Sequence, residues 1–289
     1  MNLTWSELDS DRLFSAKLWG DLAPPAGAGC FQTPSGNPAI GLFDDFNAFG
    51  FTAAISSTTG WAQSSGISYK CYIDGDAGVD AAPGIGVAVP TTTPSVSANG
   101  PGVIRINPDT DADDDTILMA GGGDMVPFNV ISGTAKDLAF EARFKIDDIT
   151  ASETDFFLGL GGTGACANTG VLSDTTGTLS SNNFLGFGRW DAETKLRFAY
   201  QRVSGTQTEI DDVHTLVADT YVKVGYHYYA ATKTCGVFVN GELFDTVTSS
   251  ETGATPWPSL YMNFITSVKM QATTNHNLYV DWWACAQYI

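Results

Sequence analysis

The sequence predicts an all-β fold, a two-sheet antiparallel sandwich preceded by an extended N-terminal arm. Three observations carry that expectation. From Val222 to Tyr228 the even positions Val222, Val224, Tyr226 and Tyr228 are apolar or aromatic, while Lys223, Gly225 and His227 lie between them. Such period-two alternation puts one strand face on a core and the other toward water or a neighbour. Val237 to Val239 then runs straight into Asn240-Gly241, the pair that best supplies the two positive φ angles of a type I′ hairpin turn, so Leu243, Phe244 and Val247 are expected to pair back. Finally, Leu138 to Ile146 alternates cleanly, with Leu138, Phe140, Ala142, Phe144 and Ile146 on one face and Ala139, Glu141, Arg143 and Lys145 on the other.

Taken in order, residues Asn2 to Gly20 form the one stretch with a helical signature. Thr4 and Glu7 fit a capping box, and Leu8, Leu13, Phe14, Leu18 and Trp19 follow. Asp21 to Gly41 turns to Pro, Gly and Ala, a composition that bars a central strand and reads as an arm. Residues 1–41 are thus set apart from a sandwich over 42–289. Leu42 to Phe51 opens the sandwich, and Thr52 to Ile73 supplies Trp61, Ile67, Tyr69 and Tyr72. Asp74 to Gly102 reads as surface loops around one short strand, Ile85 to Val89. Further strands are expected at Val103–Ile106, Thr116–Ala120, Pro127–Ile131, Phe156–Leu160, Phe184–Arg189, Leu196–Arg202 and Thr208–Asp211. Ser259–Phe264, Val268–Ala272 and Leu278–Ala284 complete the sheets. Ala165 to Asn183 reads as a loop.

The Phe-Val-Asn-Gly-Glu turn (Phe238 to Glu242), the Tyr-rich strand before it and the closing Leu278 to Trp283 resemble concanavalin A-like, laminin-G-like jelly rolls. The version carried by structural proteins of tailed phages is the most similar. There a strand like Asp137 to Ile146, a Gly-Phe strand and a hairpin like Val222–Gly225 with Phe238–Gly241 recur in this order. The resemblance covers residues 42–289. It implies a non-enzymatic virion protein of capsid decoration or cement type, located on the capsid surface and assembled in the host cytoplasm. Its implied partners are the major capsid protein and copies of itself, as a homo-oligomer of which a trimer is one form. A sugar-binding module mediating attachment is the alternative, with glycans as partners.

The chain has 289 residues, 43% of them apolar, enough for a large core within one sandwich. No run reaches the roughly 18–20 apolar residues of a membrane span. The first residues lack a basic segment followed by an apolar one, so no secretory leader is expected. With 32 acidic against 14 basic residues the net charge is −18, which repels phosphate backbones and argues against nucleic acid. The five cysteines, Cys30, Cys71, Cys166, Cys235 and Cys285, are too far apart for a zinc knuckle and read as small hydrophobes kept reduced.

Catalytic signatures fail one by one. Retaining glucanases set two carboxylates about 5–5.5 Å apart on a strand face, in a pattern like Glu-x-Asp-x-x-Glu. Glu209 and Asp211 fit the start, but His214 stands where the second Glu belongs. No serine sits in a Gly-x-Ser-x-Gly elbow, and Gly159 to Gly164 mimics a dinucleotide loop without a following helix. The acid run Asp109, Asp111, Asp113, Asp114 and Asp115 starts like a calcium loop but lacks the glycine at position six and the glutamate at position twelve, so it reads as a solvated loop. No catalytic residue, cofactor or metal ligand is therefore expected. For sugar stacking the candidates are Trp190, Trp257, Trp282 and Trp283. Adjacent strand residues face opposite ways, so Trp282 or Trp283 must leave the core.

Overall fold

The computed structural model describes residues 14–22, 24–25, 28–46, 50–51, 59–64, 67–73, 84–87, 102–107, 115–121, 127–131, 133–150, 153–167, 170–173, 178–190, 193–248, 257–271 and 276–289, with backbone alone at 50–51, 59–64, 73, 84–87 and 107. After a one-turn helix α1 (Ala16–Trp19) come β1 (Gly29–Gln32), β2 (Pro38–Asp44), β3 (Gly50–Phe51), β4 (Thr59–Ser64), β5 (Ile67–Ile73), β6 (Gly84–Val87), β7 (Ile104–Asn107) and β8 (Asp115–Ala120). The second half contains β9 (Leu138–Ile146), β10 (Thr154–Gly162), β11 (Phe184–Arg189), β12 (Lys195–Gln201), β13 (Thr208–Thr215) and β14 (Val222–Tyr229). It ends with β15 (Thr234–Val239), β16 (Glu242–Thr248), β17 (Met262–Met270) and β18 (Leu278–Tyr288).

The described strands form two antiparallel sheets. One runs β1-β2-β18-β9-β14-β15-β16, with β6 and β7 joined to the end of β18; the other runs β13-β12-β11-β10-β17-β8-β5-β4-β3. This is the predicted two-sheet sandwich. The β9 and β14 alternations fall as expected, because Phe140, Ala142, Phe144, Val224, Tyr226 and Tyr228 all enter the core between the sheets. There Phe140 stacks on Tyr226 at 5.1 Å, and Tyr226 meets Phe187 and Phe198 of the opposite sheet. Burial of each such aromatic contributes about 2–3 kcal/mol. The Asn240-Gly241 turn has φ of 49° and 83°, the two positive values that the hairpin demands.

Inside this apolar layer lies a buried polar chain. Trp283 Nε1 donates to the Tyr69 hydroxyl at 2.9 Å, and that hydroxyl donates to Asp44 Oδ2 at 2.6 Å. Asp44 Oδ1 accepts from the Phe46 amide. It ties β18 and β2 of one sheet to β5 of the other. Burial, then the Asp44 charge, pushes the Tyr69 phenol well up.

Several expectations change. The boundary at residue 41 cuts β2, which pairs with β18 from Ala39↔Tyr288 to Asp44↔Trp283. Pro and Gly composition misled here. Pro34 and Gly36 lie in the turn between β1 and β2, and Pro38 takes the first strand position, where a missing N–H costs little. Of the predicted Asn2–Gly20 helix only Ala16–Trp19 is helical among the described residues, and residues 1–13 lie outside them. Ser259–Phe264 and Val268–Ala272 are not two strands. The single strand β17 crosses Thr266 and Ser267, held by β10 on one side and β8 on the other. Pro127–Ile131 contributes only a bridge between Phe128 and Met262. Asp109, Asp111, Asp113 and Asp114 lie outside the described residues, whereas Asp115 begins β8 and is buried.

Candidate functional site

Strand alternation gives each sheet an outer face as well as a core face, and the described chain covers large parts of both. On the β10-β11 side the outer face presents Tyr72, Ile117, Met119, Phe157, Phe184, Ala199 and Ile265. The described parts of the connection between β10 and β11 pack with them, adding Ala165, Cys166, Val171, Leu172 and Leu179, and Trp190 joins the same cluster. The described parts of the stretch read as a loop thus cover a second apolar core.

The outer face of the other sheet holds a built socket. Its floor is made of small residues, Ala139, Ala284, Ala286 and Gly225, flanked by Phe238. Leu18, Trp19 and Leu22 fill it, and Phe14 packs edge-on against Trp19, Phe43 and Trp282. Gly225 is required there, because a Cβ at that position would stand 2.2 Å from Leu18 Cδ1. In the floor lies the carboxylate of Glu141, 1% exposed. It accepts the Trp19 indole N–H at 2.7 Å, the Ser15 amide at 3.1 Å and the Ser15 hydroxyl. Burial raises the Glu141 pKa, and the Ser15 and Trp19 donors pull it back only in part. His227, also on this face, bonds the Leu18 carbonyl through Nδ1 at 2.7 Å and stacks on Tyr229. Lys17 pairs with Glu242 at the rim. The segment around α1 is therefore a latch with an apolar plug and a buried charged catch.

The predicted sugar-stacking residues do not form a groove. Trp190 and Trp283 are fully buried, Trp282 is 4% and Trp257 6% exposed. The paired tryptophans do point opposite ways: Trp283 stacks on Phe264 in the core, and Trp282 lies outside under Phe14. Glu209 is tied up as well. It takes the Trp190 indole N–H, Arg197 at 3.0 Å and Gln207, while Asp211 lies 3.3 Å from the same Arg197. His214 is two pairs away along β13, opposite Leu196, and burial lowers its pKa. Gly159 to Gly162 lie in β10.

No protein-family model matches the chain, and no curated protein matches it by sequence. Among solved structures, the chain is similar to an endo-1,3-β-glucanase from Streptomyces sioyaensis, with a TM-score of 0.50 and 15% identity over 92% of this chain and 99% of that one. That likeness shows the shared sandwich fold. A protein of unknown function from Shewanella oneidensis MR-1 aligns at TM-score 0.48 and 11% identity over 90% of both chains. The binding domain of botulinum neurotoxin DC, solved in complex with SialylT, aligns at 0.43 and 10% identity, over 81% of this chain and 47% of that one.

The sequence missed the socket because Glu141 reads as an ordinary outward charge of β9. The run of small residues facing outward (Ala139, Gly225, Ala284 and Ala286) was the available signal, since a solvent face seldom needs three strands of small side chains.

Proposed function

We propose that this chain is a non-enzymatic structural protein of a tailed-phage virion, a decoration or cement protein of the head that binds the major capsid protein and copies of itself. The observation that supports it most is that the chain's own segments seal much of both outer sheet faces. Among the described residues, exposed large apolar side chains include Leu243 and Phe244 on the edge strand β16, Leu260 and Tyr261 before β17, and Val217. Edge strands with exposed apolar residues are where copies of a protein join. The burial of Trp190, Trp257, Trp282 and Trp283 and the engagement of Glu209 by Arg197 favour this reading over a sugar cleft built on those residues. The net charge of −18 suits a soluble coat present in many copies.

The test is the mass in solution of the full chain and of a version lacking residues 1–22, each alone and with empty phage shells. Oligomers that coat the shells support the proposal. Two monomers that ignore shells overturn it, and a hit on a glycan array would then point to the sugar-binding reading.

A further inference from the structure

At one end of the sandwich, three segments from different parts of the chain bring an imidazole and two carboxylates together. His276 stands just before β18, Asp148 just after β9 and Glu153 just before β10. One donor atom from each lies within 4.8 Å of the others. His276 Nε2 is 2.5 Å from Glu153 Oε2 and 3.7 Å from Asp148 Oδ2. On the far side of the ring Nδ1 faces Asp147 Oδ1 at 3.9 Å. The carboxylates are held from outside the group. Asp147 takes the Asn277 amide at 2.7 Å and its side-chain N–H at 2.6 Å, and Asp148 takes the Thr150 amide at 2.7 Å.

The surrounding charges leave this corner negative. Asp155, the neighbouring acid, stands opposite Lys269 in the β10-β17 register and accepts from Gln271. Arg189 is buried near Asp155, Asp148 and Glu153, but its Nε and Nη2 are spent on the Thr154 carbonyl. Asp148, Glu153 and Asp155 together thus face one guanidinium. One imidazole, with two ring nitrogens, cannot meet all the oxygens of these carboxylates.

We propose that His276, Glu153 and Asp148 bind a divalent transition-metal ion of the zinc class, with water in the fourth position. An imidazole donor favours zinc over calcium or magnesium, which take oxygen alone. Tetrahedral bonds of about 2.0–2.2 Å put donors about 3.3–3.6 Å apart; Asp148 already stands near that spacing from His276 Nε2, at 3.7 Å, while Glu153 must open from 2.5 Å to admit the ion. Asp147 stands behind Nδ1 at 3.9 Å, and it would have to close on the ring to complete a carboxylate–histidine–metal arrangement. Asp148 and His276 lead out of and into strands of one sheet, and Glu153 leads into the other. The ion therefore staples the two sheets at this rim.

The test strips full-length protein with a chelator, desalts it and adds Zn2+, Mn2+ or Ca2+ in turn, for wild type, His276→Asn and Glu153→Gln. Metal content, melting temperature and the visible spectrum of the Co2+ form are read. We expect about one equivalent of zinc retained, a melting temperature raised by several degrees, and at least tenfold weaker binding in both variants. A Co2+ spectrum of four-coordinate type should vanish in His276→Asn. Equal zinc uptake by wild type and His276→Asn overturns the proposal, leaving a histidine salt-bridged to acids. So does stabilisation by Ca2+ that matches zinc and survives both substitutions, which would mark diffuse attraction to an acidic surface.

Discussion

The indole N–H of Trp19 donates to the carboxylate of Glu141 at 2.7 Å, across 122 positions of the chain. Few contacts say more about this protein. Glu141 lies in a central strand, flanked by β18 and β14, and its charge is buried only because Ser15 and Trp19 bring it donors. Removing Trp19 both opens a cavity and strips a partner from a buried carboxylate. Trp19→Ala is expected to cost about 3 kcal/mol, read as a lower urea midpoint together with new proteolytic cleavage within residues 20–28. An unchanged midpoint would mean that the latch is not seated in solution.

Gly225 tests the plug from the other side. Its missing Cβ leaves room for Leu18 Cδ1, and a methyl there would also stand 2.6 Å from the Phe140 carbonyl oxygen. Gly225→Ala should destabilise by about 1–3 kcal/mol. Adding Leu18→Ala should recover part of that loss, a coupling that a double-mutant cycle measures directly. Strictly additive losses would show that Leu18 is not what the methyl strikes.

His227 makes the latch sensitive to acid. Burial holds its imidazole below the ordinary 6.5, against the upward pulls of the Leu18 carbonyl and Asp137. The unfolded chain takes up a proton near 6.5 and the folded one only lower, so this contribution is whole above 6.5 and shrinks as the pH falls from there. Glu141, whose pKa is raised, acts in the opposite sense but is common to both proteins compared. His227→Asn keeps a donor toward Leu18 and does not titrate. The stability advantage of wild type over this variant should therefore be smaller at pH 5.5 than at pH 7.5. A gap that is constant with pH would remove His227 from the account.

Tyr69 joins the two sheets through Asp44 and Trp283. Tyr69→Phe keeps the ring and deletes one donor to a buried carboxylate and one acceptor for a buried indole, at about 2 kcal/mol. Equilibrium unfolding should show that loss with an unchanged slope. A neutral result would mean that the neighbours repair both bonds.

The cysteines should divide four to one. Cys71, Cys166, Cys235 and Cys285 are buried and Cys30 is exposed, all as free thiols. Burial pushes the Cys166 thiol up to about 12 and raises the other three buried ones as well. Since the thiolate is the reactive form, a thiol reagent should titrate one cysteine quickly in the native protein and five after denaturation.

The sequence by itself determined the sandwich, because a strand's two faces are written in alternate residues. Phe140 to Phe144 and Val224 to Tyr228 show their inward side without any knowledge of neighbours, and Asn240-Gly241 shows its turn. Only the tertiary structure decided what happens to the outward side. Whether Glu141 meets water or Trp19, whether Trp282 meets a sugar or Phe14, and whether Leu172 and Leu179 meet water or the cluster around Phe157 and Ile265 are contacts between separate segments of the chain. No local period encodes them. The same holds for His276, 123 positions from Glu153, where each residue alone looks like ordinary surface. Local propensity is a property of neighbours in sequence, but a buried charge or a metal site is a property of neighbours in space.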